Sequence, residues 1–167
     1  LEDADKPEAT QQTSFRPVRD SAQSLTVMTD GGKVDMTMHD YLVGVVAAEM
    51  PADFRPEALK AQAVAARTYA VYGELAGKHK SDGADVCTDP DCCQAWRSED
   101  QLKKGWGDKY KDRLASVTAA VEATDGQYLC SGGEPILAAF HSSSGGRTES
   151  SVDVWGRAEP YLVSVTS

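Results

Sequence analysis

The sequence predicts an α+β domain: helices packed on short antiparallel strands and hairpins, with an irregular cysteine-containing segment. Three observations carry this. Two hairpin patterns with glycine turns lie within residues 25–38 and 127–140. Alanine-rich and mixed stretches of helical length stand between them. The patterns never alternate strand, helix, strand as a parallel sheet requires.

Residues 1–22 are polar, with Pro7 and Pro17 and one aromatic, Phe15, and are expected to be a flexible linker ahead of a domain at 23–167. Leu25-Thr26-Val27-Met28 alternates with β-type residues, Asp30-Gly31-Gly32 turns the chain, and Val34, Met36 and Met38 return it. Thr37, three before Asp40, has capping-box spacing with Asp in place of Glu. Leu42, Val43, Val45 and Val46 then make a short apolar helix that ends near Met50-Pro51. A second helix starts at Pro56, a favoured first-turn residue, and stops near Gly77. Residues 73–106 read as irregular. A third helix covers 113–124 and closes at Asp125-Gly126. The second hairpin turns at 131–134, and Tyr161-Leu162-Val163-Ser164-Val165 reads as a last strand.

The 167 residues include 17 Lys and Arg against 26 Asp and Glu, a formal charge of −9. A nucleic-acid binder needs a basic face, and a membrane-surface module needs a polybasic segment, so neither partner is expected. No apolar run approaches the ~18 residues of a transmembrane helix. Leu1-Glu2-Asp3 is not a signal peptide, so the chain is expected to be an excised piece of a longer protein, its export or anchor segment removed.

Glu49 is the first candidate for chemistry. It sits at a helix end beside Val46, Ala47, Ala48 and Met50. Partial desolvation and the negative end of the helix dipole both disfavour its charged form and are expected to raise its pKa. That suits a general acid; a solvated glutamate paired with Arg55 or Arg67 is the rival. Asp53 and Glu57 do not stand out as a second carboxylate. A hydrolytic glycosidase needs such a pair, whereas a lone acid suffices where the substrate brings its own nucleophile. Lys60 and Arg67, two turns apart on one helix face, could form a cationic wall or an ordinary solvated face. The run His141-Ser142-Ser143-Ser144-Gly145-Gly146 offers hydroxyl donors and close approach to a sugar, or is a plain turn. No nucleophile elbow and no phosphate-loop spacing is present.

His79, Cys87, Cys92 and Cys93 supply four soft ligands, the number a closed structural zinc site takes. The rival is a Cys87–Cys93 or Cys87–Cys92 disulfide, with leftover thiols free or paired with Cys130. A zinc hydrolase is disfavoured, because four such ligands leave no open position and no His-Glu-x-x-His occurs. No cofactor is expected for catalysis.

Several blocks resemble a known family. The run 41–51, ending Ala47-Ala48-Glu49-Met50-Pro51, then Phe54 and 57–70, is similar to the stage II sporulation protein D (SpoIID/LytB) domain. So are Cys87-Thr88-Asp89 through Cys93-Gln94-Ala95-Trp96, the run 140–149, Val154-Trp155-Gly156 and Pro160-Tyr161-Leu162. The resemblance spans about residues 24–167, in family order, and implies a domain that continues beyond Ser167. It implies an extracytoplasmic, cell-wall-facing enzyme, membrane-anchored when whole: a peptidoglycan lytic transglycosylase. Such enzymes cut the MurNAc–GlcNAc bond of peptide-stripped strands, leave 1,6-anhydro ends, and work with a cell-wall amidase during engulfment. The family's catalytic glutamate falls on Glu49, its basic helix positions on Lys60 and Arg67, and its glutamine on Gln94. Its His–Ser loop falls on His141, Ser142 and Ser144. Clostridial members carry zinc near the cysteine cluster, with a histidine just before the second cysteine, where this chain has Cys92. The other role attached to the family is a non-catalytic glycan-binding module that enhances an amidase.

Overall fold

A computed structural model describes residues 15–167 and shows an α+β domain. Strands β1 (Ser24–Thr29) and β2 (Gly32–Thr37) form the expected antiparallel hairpin, with Val27 opposite Val34. The turn is completed by Gly32 at φ +108°, a conformation that side chains resist. Alternation places Leu25 and Val27 in the core, while β2 stays largely exposed as the edge strand. The sheet has a third member, β3 (Val86–Cys87), parallel to β1 with Val27 opposite Val86. Two residues cannot show a period, so this strand was not legible in the sequence.

Helix α1 (Met38–Glu49) begins where the Thr37 hydroxyl accepts from the Asp40 N–H at 3.1 Å. It stops because Pro51 drives Met50 out of helical geometry, to φ −134°, ψ 138°. Helix α2 (Pro56–Leu75) carries Leu59, Ala63, Ala66 and Ala70 along one face, all buried. Small residues on that stripe let α1 and the later helix α4 (Tyr110–Ala123) approach closely. Tyr41, Leu42, Val45, Val46, Val117 and Val121 complete the core, each large apolar side chain contributing roughly 1.5–3 kcal/mol of burial.

The stretch 73–106, expected to be irregular, is partly helical. It includes the end of α2, and α3 (Glu99–Trp106) closes it with a full capping box between Ser98 and Gln101. The expected hairpin near residue 130 is a two-residue pair, β4 (Cys130–Ser131) with β5 (Glu134–Pro135). The strand expected at 161–165 is absent among the described residues. Its neighbourhood holds one isolated bridge, Arg147 to Thr166, with the short helix α5 (Ser151–Trp155) between the two in the chain.

Of the expected linker, residues 1–14 lie outside the described residues. Residues 15–22 are mostly exposed but are held at Phe15 and Asp20. The Phe15 ring meets Tyr128 edge-on at 5.0 Å, and the Asp20 N–H donates to Asp125 Oδ1 at 2.7 Å. That N–H, with Arg19, holds the Asp125 carboxyl below the usual range. Asp20 itself is only 2% exposed. Prolines and polar residues gave this segment a linker composition, but one buried ion pair ties it down.

Candidate functional site

Glu49 is the last residue of α1 and half-buried. Its Oε1 accepts the Ala95 N–H at 2.8 Å. No described residue takes Oε2. The carboxyl lines a concavity of about 230 Å3 with Asp53, Arg97, Trp106 and Arg113. These arrive from three separate segments: the loop after α1, the stretch before α3 with that helix's end, and α4. Asp53 is paired with Arg113 at 3.7 Å, which engages the one other carboxylate that lines the concavity among the described residues. The arrangement offers one carboxyl oxygen for proton transfer, two guanidinium groups for an anion, and an indole for a sugar face.

Sequence reasoning missed Arg97, Trp106 and Arg113. No local pattern marks them, since only the packing of α3 and α4 against the end of α1 brings them to Glu49. It also overreached on Arg67 and Gln94. Arg67 is not a ligand-facing cation. It is 0% exposed and grips Asp20 through two bonds, Nε to Oδ1 at 2.7 Å and NH2 to Oδ2 at 2.6 Å. Its remaining donors reach the carbonyls of Val121 and Gln127. Gln94 is likewise buried, and its amide donates to Ala66 O at 3.3 Å and Tyr41 Oη at 3.5 Å. Lys60 is partly exposed, with its ammonium 2.8 Å from Glu57.

His141, Ser143 and Ser144 line a second concavity of about 630 Å3, shared with Trp155 and Leu162, and Ser142 stands exposed between them. Ser144 bonds Ser167, and the Thr148 N–H donates to Val165 O at 2.8 Å. No described residue lines both this concavity and that of Glu49. The fold therefore does not bring the His–Ser loop into the same pocket as the glutamate.

The third assembly is the cysteine cluster. The ligand atoms of His79, Cys87, Cys92 and Cys93 all lie within 4.8 Å of one another. His79 Nε2 is 3.3 Å from Cys93 Sγ and 3.5 Å from Cys92 Sγ, while its Nδ1 is 3.3 Å from Asp82. A carboxylate behind the ring is the usual outer partner of a metal-bound histidine. Adjacent Cys92 and Cys93 reach one point because both their N–H groups fold back on Asp89 O. Tyr69 Oη from α2 and Lys78 Nζ from the loop after it both donate to Cys92 O, bracing the turn. Burial, and then the neighbouring thiols, push the Cys87 thiol up to about 12, against a lowering backbone bond at Asp89. Three thiols and an imidazole converging in a half-buried turn fit a tetrahedral soft-metal ion. All four cysteines are free thiols here, and Cys130 stands exposed on β4.

Comparison with known proteins adds a further finding. The SpoIID family model, stage II sporulation protein, matches residues 32–130. The chain is 42% identical over 134 residues to stage II sporulation protein D of Bacillus subtilis (strain 168), across 80% of this chain and 39% of that protein. Identity and coverage are the same for the Bacillus amyloliquefaciens protein of that name. It is 38% identical over 123 residues to an amidase enhancer of Bacillus subtilis (strain 168), across 74% of this chain and 14% of that protein. The chain thus spans about two fifths of the length of the sporulation relatives.

Proposed function

Because the chain belongs to the SpoIID family of stage II sporulation proteins, we propose that it is a peptidoglycan lytic transglycosylase acting on peptide-stripped glycan, with Glu49 as its acid and base. The observation that supports this most is the Glu49 concavity: one half-buried carboxyl, with one oxygen held by Ala95, beside an indole and two arginines.

In this reading protonated Glu49 gives its proton to the oxygen linking N-acetylmuramic acid to N-acetylglucosamine. The glycosidic bond breaks and positive charge builds at the anomeric carbon. The muramic C6 hydroxyl attacks that carbon, and Glu49, now ionised, takes the hydroxyl proton. The bond formed is the 1,6-anhydro bridge, and no second carboxylate is needed. Trp106 would stack a sugar ring. Arg97 and Arg113 would meet the lactyl carboxylate, in place of the cationic wall expected from Lys60 and Arg67. His141, Ser142 and Ser144 would hold glycan outside the Glu49 concavity, and Lys60 would act at most as a peripheral charge.

The test is to incubate the 167-residue chain with peptide-free strands and weigh the fragments. Anhydro-ended fragments, absent with Glu49→Gln, are expected. Fragments one water heavier would mean hydrolysis, with Asp53 the candidate partner, and would overturn the transglycosylase reading.

A second reading is favoured by the similarity to an amidase enhancer and by the separation of the two concavities. Here the surface around His141 and Trp155 binds glycan and stimulates a cell-wall amidase without cutting. Intact strands together with a faster amidase would select it. Both readings place the protein facing the cell wall. Among the described residues no helix is long and apolar enough to cross a membrane.

The metal proposed for the cluster is a structural zinc held by His79, Cys87, Cys92 and Cys93. Bound there, it would fix the turn between β3 and α3 and keep the thiols ionised. With free zinc at a thousandfold its Kd, linkage adds about 4 kcal/mol of stability. Chelation is therefore expected to lower Tm by about 8–16 °C in a chain of this size. Cys87→Ser should show the lower Tm without chelator and bind no zinc. A Tm that neither treatment moves would remove the metal from the cluster.

A further inference from the structure

A glutamate at a helix end can rotate freely unless something outside the helix holds it. Here the holder is the segment 94–97, which crosses α1 and is stitched to it. Gln94 donates to Tyr41 Oη and Ala66 O, Ala95 N–H donates to Glu49 Oε1 at 2.8 Å, and Arg97 N–H donates to Gly44 O at 3.3 Å. Between these bonds the Trp96 ring lies flat on the backbone of Gly44. A Cβ at residue 44 would fall 2.2 Å from Trp96 Nε1 and 2.5 Å from Cδ1, distances no real contact allows. Trp96 Nε1 is buried and has no hydrogen-bond partner among the described residues, so contact with Gly44 rather than a polar bond holds the ring. Both ends of the segment are anchored. Upstream it leaves the Asp89-centred turn at Cys93, and downstream it enters the Ser98 capping box of α3, the helix that carries Trp106 to the concavity.

We infer that residues 94–97 are a strap that sets the orientation of the Glu49 carboxyl, with Gly44 and Trp96 as its clasp. Both are positioning residues, and the inference rests on Glu49 being the acid. Ala95 N–H fixes one carboxyl oxygen and thereby dedicates the other to proton transfer. A shift of about 1 Å at such a group costs on the order of 10²-fold in rate.

Gly44→Ala forces the ring off the helix without removing any polar group. The expected result is a fall in kcat of about 10²-fold from the misaimed carboxyl, together with a rise in KM, because Arg97, the last residue of the strap, is drawn off with it. Trp96→Ala should reproduce the loss with no added bulk in the helix. Trp96→Phe, which restores a flat ring, should recover most of it.

A second readout does not depend on activity. In the otherwise unaltered chain, Glu49→Gln should shift the Ala95 amide resonance, since the acceptor changes from carboxylate to amide. In the Gly44→Ala and Trp96→Ala backgrounds that response should vanish. Wild-type kcat in Gly44→Ala, or an Ala95 resonance that still answers Glu49→Gln in both backgrounds, would overturn the clasp. If Glu49→Gln itself keeps wild-type product release, the catalytic reading fails, while the strap geometry is still judged by the Ala95 resonance.

Discussion

Glu49→Gln is expected to lower the release of anhydro-ended fragments by about 10²–10⁴-fold, the span that a single general acid–base group supplies. The substitution keeps the side chain's size and can still accept the Ala95 N–H through its amide oxygen. Fold and strand binding should therefore remain, and KM should move little. The proton alone is lost. A lone acid makes the effect large, because the same carboxyl acts in both halves of the proposed reaction. Asp53 is the control. It lines the same concavity but is turned to Arg113, so Asp53→Asn should change the rate far less and leave the product mass unaltered. Equal losses from both substitutions would indicate a two-carboxylate hydrolase instead.

Arg67→Ala is expected to be the most destabilising single change, at about 3–5 kcal/mol, because it strands the buried Asp20 carboxylate without its partner. In a chain of this size that lowers Tm by about 6–20 °C. It consumes much of the ~5–15 kcal/mol that holds an ordinary domain together. Arg67→Lys should not rescue it. A single ammonium cannot hold both Asp20 oxygens and reach the carbonyls of Val121 and Gln127 as the guanidinium does. The double variant Asp20→Leu with Arg67→Met should be milder than either single change, since no unpaired charge stays buried. Calorimetric melting of the four proteins measures this. If Arg67→Ala melts normally and raises KM for glycan instead, the arginine is a substrate contact after all.

The two expectations for α2 show what pattern alone can tell. Helical spacing placed Lys60 and Arg67 on one face, and they are two turns apart on one helix. It could not say that the face turns inward at residue 67, because that depends on Asp20, 47 positions away. The cluster of His79, Cys87, Cys92 and Cys93 was legible because three of its members are near neighbours and all four share one chemistry. Arg97, Trp106 and Arg113 share neither spacing nor chemistry with Glu49, and nothing local announced them.

By itself the sequence determined what short-range forces control. These are the hairpin at Asp30-Gly31-Gly32, the Thr37 cap, the end of α1 at Met50-Pro51 and the start of α2 at Pro56. Each is decided by neighbours within about one turn of helix or one tight loop. The tertiary structure alone decided which charges are buried, which side chains surround Glu49, and that its concavity is separate from the His141 loop. Those outcomes follow from the docking of segments far apart in the chain. Burial and Coulomb interaction depend on distance in space, and no local window of residues contains it.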